Sequence, residues 1–205
     1  MKNSLQKNVL IFDFDGVIAD SFEVAYFAQK ALNPRVTIED YRNALNGNIN
    51  EWQKKQVHTV EDFYKIYTPK ILEEMKIFEG IDTLLCNLAR QYILYIVSSN
   101  NKTVIDEYLI SYTLTSCFQE ILGNEVSHGK VEKIRSITSK YSPETQYLMV
   151  TDTTGDIIEA KEADVASIAV TWGFQKKESL AKGEPFAIAD TQKELVAGIE
   201  TFFQN

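Results

Sequence analysis

The sequence predicts a protein of the α/β class, with a doubly wound parallel sheet as its core and a small all-helical unit inserted after the first strand. Short and continuously apolar runs, typical of strands buried on both faces, alternate with segments of helical periodicity. In addition, the segment 17–80 contains helical patterns that follow one another with no convincing strand between them. We therefore expect a Rossmann-like core formed by residues 1–16 and 81–205, and a helical cap formed by residues 17–80.

Four apolar runs predict the central strands of the sheet, at Val9–Phe12, Ile93–Val97, 147–150 and 168–170. Two weaker runs, Glu120–Leu122 and 186–189, predict short additional strands, the second of them at an edge. The helices between them are indicated by apolar residues at helical spacing in 104–109, 131–137 and 195–203. Strands and helices of these lengths build right-handed βαβ units, which place a binding crevice at the carboxyl ends of the strands.

Start and stop signals predict three helices in the segment 17–80. The first opens at an Asp20-Ser21-Phe22-Glu23 capping box and ends at Asn33-Pro34. The second opens at Thr37 and ends at Asn46-Gly47. The third is marked by apolar residues from Val60 to Met75, with Pro69 as a kink or a boundary.

The overall charge argues against several classes of partner. A formal net charge of −8 and a pI near 4.9 argue against binding to duplex nucleic acid, which requires a basic surface, and against docking on anionic membranes. No apolar run reaches the roughly 18 residues of a membrane span, and the polar start of the chain lacks the pattern of a signal peptide. Cys86 and Cys117 lie among apolar residues and are expected to be buried rather than part of a disulfide framework. We therefore expect a cytoplasmic protein, and the sequence does not distinguish a monomer from a homodimer.

Two acidic residues directly after the first strand are the strongest chemical signal in the sequence. Asp13 and Asp15 are two residues apart, so an extended backbone projects both carboxylates to the same side. Like charges this close are unfavourable unless a cation or a proton relieves them, and Gly16 then permits a tight turn. The pair suits a hard divalent cation, or a nucleophile beside a general acid. Carboxylates of a surface turn are the weaker alternative, because Asp13 continues an apolar strand.

Three further motifs follow along the chain, and each has a structural alternative. Ser98-Ser99-Asn100 would bind a phosphate with a hydroxyl and the free N–H groups of the next helix, or would simply cap that helix. Lys130 opens a helical segment and would neutralise a phosphate or a carboxylate, or would lie in solvent. Asp152 ends the strand at 147–150, and Asp156 follows in the first turn of the next helix, where an acid is common in any case.

Taken together, the order Asp-x-Asp-Gly, Ser, Lys and Asp-x-x-x-Asp, with each motif expected at the carboxyl edge of the sheet, resembles the haloacid dehalogenase superfamily. The resemblance extends from about Val9 to Gly173 and is to phosphoglycolate-phosphatase-like members with a helical cap. It implies a phosphoric monoester hydrolase that requires Mg²⁺ and acts on a small phosphorylated metabolite through an aspartyl-phosphate.

The resemblance also implies a role for each residue of the motifs. Asp13 would be the nucleophile, Asp15 the general acid and base, and Lys130 the lysine that orients the nucleophile and the phosphate. Ser98 would bind the phosphoryl group, together with Ser99, Asn100 and Gly16. Mg²⁺ would be held by Asp13, Asp152 and the main-chain carbonyl of Asp15, with Asp156 supporting the metal shell.

Two departures from the family pattern bear on these implications. Thr151 stands where relatives usually carry glycine, and Lys130 is followed by valine, whereas many relatives have proline there. Three alternative functions stay open: a phosphonatase, which needs a cap lysine such as Lys54 or Lys55; a sugar phosphomutase; and a non-catalytic phosphate-binding regulatory protein, which would not need Asp15. The sequence does not identify the substrate or the cap residues that select it.

Overall fold

The computed structural model describes residues 8–56, 58–74, 76–127 and 129–204, with the side chain of Asn50 outside this description. Eight strands are described in this part of the chain: β1 (Val9–Phe12), β2 (Ala19–Asp20), β3 (Lys76–Ile77), β4 (Ile93–Val97), β5 (Glu120–Leu122), β6 (Tyr147–Thr151), β7 (Ala166–Val170) and β8 (Ala187–Ala189). The described helices are α1 (Phe22–Leu32), α2 (Ile38–Ala44), α3 (Ile49–Gln53), α4 (Val60–Glu74), α5 (Ile81–Leu88), α6 (Lys102–Ser111), α7 (Lys130–Thr138), α8 (Thr154–Glu162), α9 (Lys177–Leu180) and α10 (Gln192–Gln204).

Six of these strands form one parallel sheet in the order β5-β4-β1-β6-β7-β8. The central strand β1 is buried along its whole length and pairs with β4 on one side and β6 on the other, so that Val9 lies beside Ile93 and Tyr147. This register brings the carboxyl ends of the three strands to the same edge of the sheet. The predicted parallel sheet is confirmed, and its two weaker strands lie at the opposite edges.

Helices cover both faces of the sheet, as the doubly wound prediction requires. Leu10 and Phe12 of β1 pack on the face that α5, α6 and α10 cover, whereas Val9 and Ile11 pack on the face that α7 and α8 cover. Alternate side chains of one strand therefore belong to two separate apolar layers, which explains why the strand reads as a continuous apolar run. Among the described residues, no helix combines the length and the apolar character that crossing a bilayer requires.

The segment between β1 and α5, called the cap below, contains α1 to α4, but the expectation that it has no strand is wrong for β2 and β3. These two strands pair antiparallel, with Ala19 beside Ile77 and Asp20 beside Lys76. Each has two residues, which is too short to produce an alternating pattern in the sequence. The short helix α3 was also not expected, since its five residues lack a full amphipathic repeat.

The helix boundaries in this segment follow the expected signals with two exceptions. Thr37 caps α2 in a reciprocal box with Asp40, and α1 ends just before Asn33. The capping box expected at Asp20 to Glu23 is absent: α1 begins after Ser21, whose side chain makes no capping hydrogen bond. Pro69 lies inside α4 and does not end it, while Met75, expected in the same helix, is outside the described residues.

The prediction that both cysteines are buried is also wrong. Cys86 on α5 is exposed, Cys117 is half-buried in a short 3-10 helix before β5, and their sulfur atoms lie 3.2 Å apart. Apolar neighbours in the sequence do not imply burial here, because Cys86 lies on the outward side of α5, whose buried residues include Leu85 and Leu88.

Candidate active site

Asp13 and Asp15 follow the end of β1, and their carboxylates have different partners. The Asp13 backbone N–H still donates to the carbonyl of Val150, so Asp13 continues the sheet, and its carboxylate Oδ1 accepts the N–H of Phe14 at 2.7 Å. Asp15 is half-buried and faces the cap, where its Oδ1 accepts a 2.7 Å hydrogen bond from the Tyr67 hydroxyl and its Oδ2 accepts one from Asn100 Nδ2 at 3.1 Å. The two acids therefore lie close along the chain but have separate partners.

Lys130 joins two of the predicted acids. Its Nζ lies 2.8 Å from Asp13 Oδ2 and 2.7 Å from Asp156 Oδ2, and the residue is only 2% exposed. The lysine is placed there because it begins α7, which covers the sheet next to β4. The alternative of a solvated surface lysine is therefore wrong.

Burial and charge act in opposite directions on this cluster. Burial lowers the pKa of Lys130, but the carboxylates of Asp13 and Asp156 outweigh it and hold that pKa above its usual range. Burial raises the pKa of Asp13 well above its usual range, and Lys130 opposes this rise. Burial likewise acts to raise the pKa of Asp156, but its hydrogen bonds and Lys130 lower it overall. Thr151 contributes to this, because its hydroxyl donates to Asp156 Oδ2 at 2.8 Å.

Asp152 ends β6 and is completely buried. Its Oδ2 accepts the N–H of Phe174 at 2.7 Å, whereas its Oδ1 has no hydrogen-bond partner among the described residues. Burial raises the pKa of Asp152 to about 7, and the charge of Asp156 adds to this rise, while the Phe174 N–H opposes it. An unpartnered buried carboxylate oxygen is unfavourable unless something else pairs with it.

The donor set fits the Mg²⁺ that the sequence resemblance implies. Within the described residues, no three acidic, histidine or cysteine side chains are grouped as a preformed metal site. The unpartnered Oδ1 of Asp152, however, is a hard oxygen donor close enough to Asp13 and Asp156 for their charges to affect one another. Carboxylate oxygens of this kind are the ligands that Mg²⁺ prefers.

Gly16 is required at its position by the backbone and by Asp152. Its φ of 76° is in the left-handed region, and a Cβ there would overlap the Asp152 carboxylate and the Phe174 ring. Gly16 thus lets the loop after β1 approach Asp152 closely.

The loop after β4 presents Ser98, Ser99 and Asn100. Ser98 is buried, and its hydroxyl accepts the N–H of Asn100 at 3.0 Å. The helix α6 is capped instead by Asn101, whose side chain accepts the N–H of Thr103, so the interpretation of Ser98 as a simple N-cap is wrong.

A second buried lysine, Lys133, supports this loop from behind. Its Nζ donates to the carbonyl of Ser98 at 2.6 Å and to the carbonyl of Gly123 at 3.1 Å. It therefore ties the loops after β4 and β5 together, one turn of α7 away from Lys130.

A cavity of about 100 Å³ lies between the cap and the carboxyl edge of the sheet. Seven of the predicted site residues line it: Asp13, Asp15, Ser98, Ser99, Asn100, Lys130 and Asp156. Gly16 and Asp152 are not among the residues that line it, and lie against one another. The structure thus brings the predicted residues together, whereas their individual roles stay predictions.

The sequence interpretation missed two cap residues that contact the site, Tyr64 and Tyr67. The hydroxyl of Tyr67 reaches Asp15, and the hydroxyl of Tyr64 donates to the carbonyl of Ser99 at 3.1 Å. Both belong to α4, where aromatic residues at helical spacing are usually core residues and carry no separate signal. Lys133 had a weak signal, since it lies three residues after Lys130 on the same helix.

Comparison with known proteins agrees with this arrangement. The family model described as "Haloacid dehalogenase-like hydrolase" matches residues 10–170. A phosphoglycolate phosphatase of Synechococcus elongatus is 23% identical over 93% of this chain and 96% of its own, and one of Vibrio cholerae is 24% identical over 89% and 92%. A solved haloacid dehalogenase-like hydrolase from Streptococcus pneumoniae superimposes with a TM-score of 0.77 at 22% identity, covering 93% of this chain and 97% of that one. The chain therefore belongs to the haloacid dehalogenase-like hydrolase family, whose phosphatases it resembles over most of its length.

Proposed function

We propose that this hydrolase is a magnesium-dependent phosphatase that cleaves a small phosphomonoester through an aspartyl-phosphate on Asp13. The observation that carries the proposal is the buried carboxylate of Asp13, which borders the cavity, is paired with Lys130 at 2.8 Å, and lies two residues before a second acid. A binding site alone would have no use for an acid in the position of Asp15.

In the first step, an oxygen of the Asp13 carboxylate forms a bond to phosphorus while the ester P–O bond breaks. Asp15 gives a proton to the departing oxygen, and the hydrogen bonds from Tyr67 and Asn100 hold its carboxyl group towards the cavity. In the second step, water attacks the phosphorus, Asp15 takes up its proton, and the bond between Asp13 and phosphorus breaks to release phosphate. A general acid and base of this kind typically contributes 10²–10⁴-fold to the rate.

The remaining residues bind and orient the phosphoryl group. Lys130 compensates the charge of Asp13 and of the phosphate, and the loop of Ser98 to Asn100 offers hydroxyl and N–H donors at the cavity wall. Asp13, Asp152 and the carbonyl of Asp15 would hold Mg²⁺, supported by Asp156. The bound metal supplies the positive charge that lets the anionic nucleophile approach the anionic phosphate.

The phosphonatase alternative is disfavoured by the cap lysines. Neither Lys54 nor Lys55 lines the cavity, and Lys54 pairs with Glu51 on the surface. An amine that forms a Schiff base must reach the substrate carbonyl.

The proposal is tested with p-nitrophenyl phosphate and a panel of phosphoglycolate, sugar phosphates and nucleotides, each with Mg²⁺ and then with EDTA. Phosphoglycolate is included because relatives of this chain carry that name. We expect phosphate release that depends on Mg²⁺ and stops in EDTA.

The Asp13→Asn variant is expected to lose at least roughly 10³-fold in kcat, because the amide is a poor nucleophile. It should stay folded by circular dichroism, since Lys130 keeps its 2.7 Å partner Asp156. Full activity in a folded Asp13→Asn protein would contradict the mechanism. Tight phosphate binding without turnover in the wild-type protein would instead favour a non-catalytic phosphate-binding protein.

A further inference from the structure

We propose that the leaving group of the substrate is small and uncharged, and that the cavity discriminates against a second anionic group. This inference rests on the proposed phosphatase function. It concerns the part of the cavity that the cap encloses, beyond the acids and the lysine that react with the phosphate.

The cap side of the cavity is mainly apolar. Its apolar lining residues are Ala25, Leu45, Ile49, Val60, Phe63 and, from the core, Phe174, and its polar ones are Tyr41, Gln53, Tyr64 and Tyr67. The cavity volume of about 100 Å³ is well below the roughly 300–1,000 Å³ of sites for drug-sized ligands, so only a small leaving group fits beside a phosphate.

Two of the three tyrosine hydroxyl groups on this wall are already used. The third, of Tyr41, and the Oε1 of Gln53, which is unpartnered among the described residues, are uncharged polar groups that can contact a neutral leaving group. Tyr67 donates its hydroxyl hydrogen to Asp15 Oδ1 at 2.7 Å, and Tyr64 donates its own to the carbonyl of Ser99 at 3.1 Å. A hydroxyl has one hydrogen to donate, so neither tyrosine can also donate to a carboxylate of the substrate without giving up its contact with the core.

The positive charges near the cap do not reach the cavity either. Among the described residues that line it, Lys130 is the single cation, and it is paired with two acids. The guanidinium of Arg42 stacks 4.6 Å from the centre of the Phe22 ring, and Lys54 pairs with Glu51. Among the described lining residues, no second cation is thus available to pair with another anionic group.

The lining is instead rich in negative charge. Asp13, Asp15, Asp156 and Glu159 all border the cavity. One lysine and one divalent cation would compensate the phosphate and its nucleophile. A further carboxylate or phosphate would then be partly desolvated beside these acids and would have no cation to pair with, which is strongly unfavourable.

The test compares three compounds of similar shape that differ at the end of the leaving group. Phosphoglycolate ends in a carboxylate, phosphoglycolamide in a neutral carboxamide, and isobutyl phosphate in two methyl groups. Each competes against p-nitrophenyl phosphate in Mg²⁺ buffer, and its inhibition constant and its own kcat/KM are measured. We expect both neutral compounds to bind at least about tenfold more tightly than phosphoglycolate and to have the higher kcat/KM.

Equal or tighter binding of phosphoglycolate would overturn the inference while leaving the phosphatase proposal intact. If neither p-nitrophenyl phosphate nor any compound of the panel releases phosphate, the proposed function fails. The order of affinities is then measured by calorimetry with the Mg²⁺-loaded protein, and the same order is expected.

A variant tests whether charge is the cause of the discrimination. Val60 is 40% exposed at the start of α4 and lines the cavity, so Val60→Lys can place an ammonium at the wall with little disturbance of the core. We expect it to improve phosphoglycolate binding at least about fivefold relative to isobutyl phosphate. Ile110→Lys, at a position 66% exposed on α6 and outside the lining, is the matched control and should leave the ratio unchanged. An unchanged ratio in folded Val60→Lys would overturn the charge argument.

Discussion

Two lysines on one helix show how strongly a residue depends on its immediate partners. Lys130 and Lys133 are three residues apart on α7 and both are buried. Lys130 contacts two carboxylates, which hold its pKa above the usual range despite burial. Lys133 contacts two backbone carbonyls, and burial together with the charge of Lys130 lowers its pKa to about 8.

The depressed pKa of Lys133 predicts a pH-dependent contribution to stability. Between pH 8 and about 10.5 the unfolded chain keeps a proton on this lysine that the folded protein has lost, so stability should rise with pH across this window. Relative to Lys133→Met, which lacks the titrating group, the wild-type protein should gain roughly 3 kcal/mol in the free energy of unfolding between these pH values. Urea denaturation at several pH values measures this difference.

An exposed lysine provides the control for this experiment. Lys182 lies on the surface of a short 3-10 helix, so Lys182→Met should give a stability profile parallel to that of the wild-type protein. Parallel profiles for Lys133→Met and the wild type would contradict the prediction.

The candidate site could be predicted from the sequence where a residue type is unusual for its setting. Asp13 and Asp152 continue apolar strands. A carboxylate in such a buried setting is unfavourable without a partner, so its presence indicates a functional site. Tyr67 could not be found in this way, because a buried tyrosine is normal in an amphipathic helix. Its contact with Asp15 depends on how the cap packs on the core, which no local pattern encodes.

At the scale of secondary structure, the strands of the large sheet were predictable because they are buried on both faces. Each gives a continuous apolar run that needs no partner to be recognised. The pair β2 and β3 exists only through its tertiary pairing, and α3 is too short to form a repeat. Local sequence patterns therefore do not predict β2, β3 or α3.

The contact between α5 and the 3-10 helix before β5 predicts that a disulfide can form. Cys86 and Cys117 have sulfur atoms 3.2 Å apart, and burial raises the pKa of the Cys117 thiol to about 11, so the exposed Cys86 should meet an oxidant first. Oxidised glutathione would accept two electrons, be reduced to two glutathione thiols, and leave one S–S bond in the protein. Because the bond would close a loop spanning a separation of 31 residues, it should stabilise the fold by up to about 3–4 kcal/mol.

Thiol titration and thermal unfolding test this prediction. Free thiols should fall from two to none per chain, and the Tm should rise until dithiothreitol is added. The Cys117→Ser variant should show no such rise. Two persistent free thiols after oxidation would contradict the prediction.

At the scale of the whole molecule, the excess of acidic residues has a local consequence. The formal charge of −8 is spread over the chain, but several of the acids converge on one buried edge of the sheet around Asp13, Asp152 and Asp156. Mutual repulsion among these carboxylates destabilises the folded state more than it does the unfolded chain, in which they are apart.

A divalent cation should therefore stabilise the whole fold. At a free Mg²⁺ concentration about 100 times the Kd, linkage predicts a gain of about 2.7 kcal/mol, which corresponds to a rise in Tm of about 5–10 °C for a chain of this size. Differential scanning calorimetry with Mg²⁺ and with EDTA measures this rise without any assay of activity.

The Asp152→Asn variant identifies the source of the shift. It keeps the size of the side chain but removes the charge beside the unpartnered Oδ1, so its Tm should no longer respond to Mg²⁺. An equal shift in this variant would show that the cation acts elsewhere.

The pairing of β2 with β3 has a consequence for how this architecture can change over evolutionary time. Because Ala19 and Ile77 lie side by side, the segment that contains α1 to α4 begins and ends at almost the same point. The segment between these two residues can change in length without changing the order of the six parallel strands. Insertions, deletions or replacement of that segment can thus be accommodated without changing the order of the parallel strands, so that this part of the chain is free to diverge while Asp13 and Asp152 keep their places at the ends of β1 and β6.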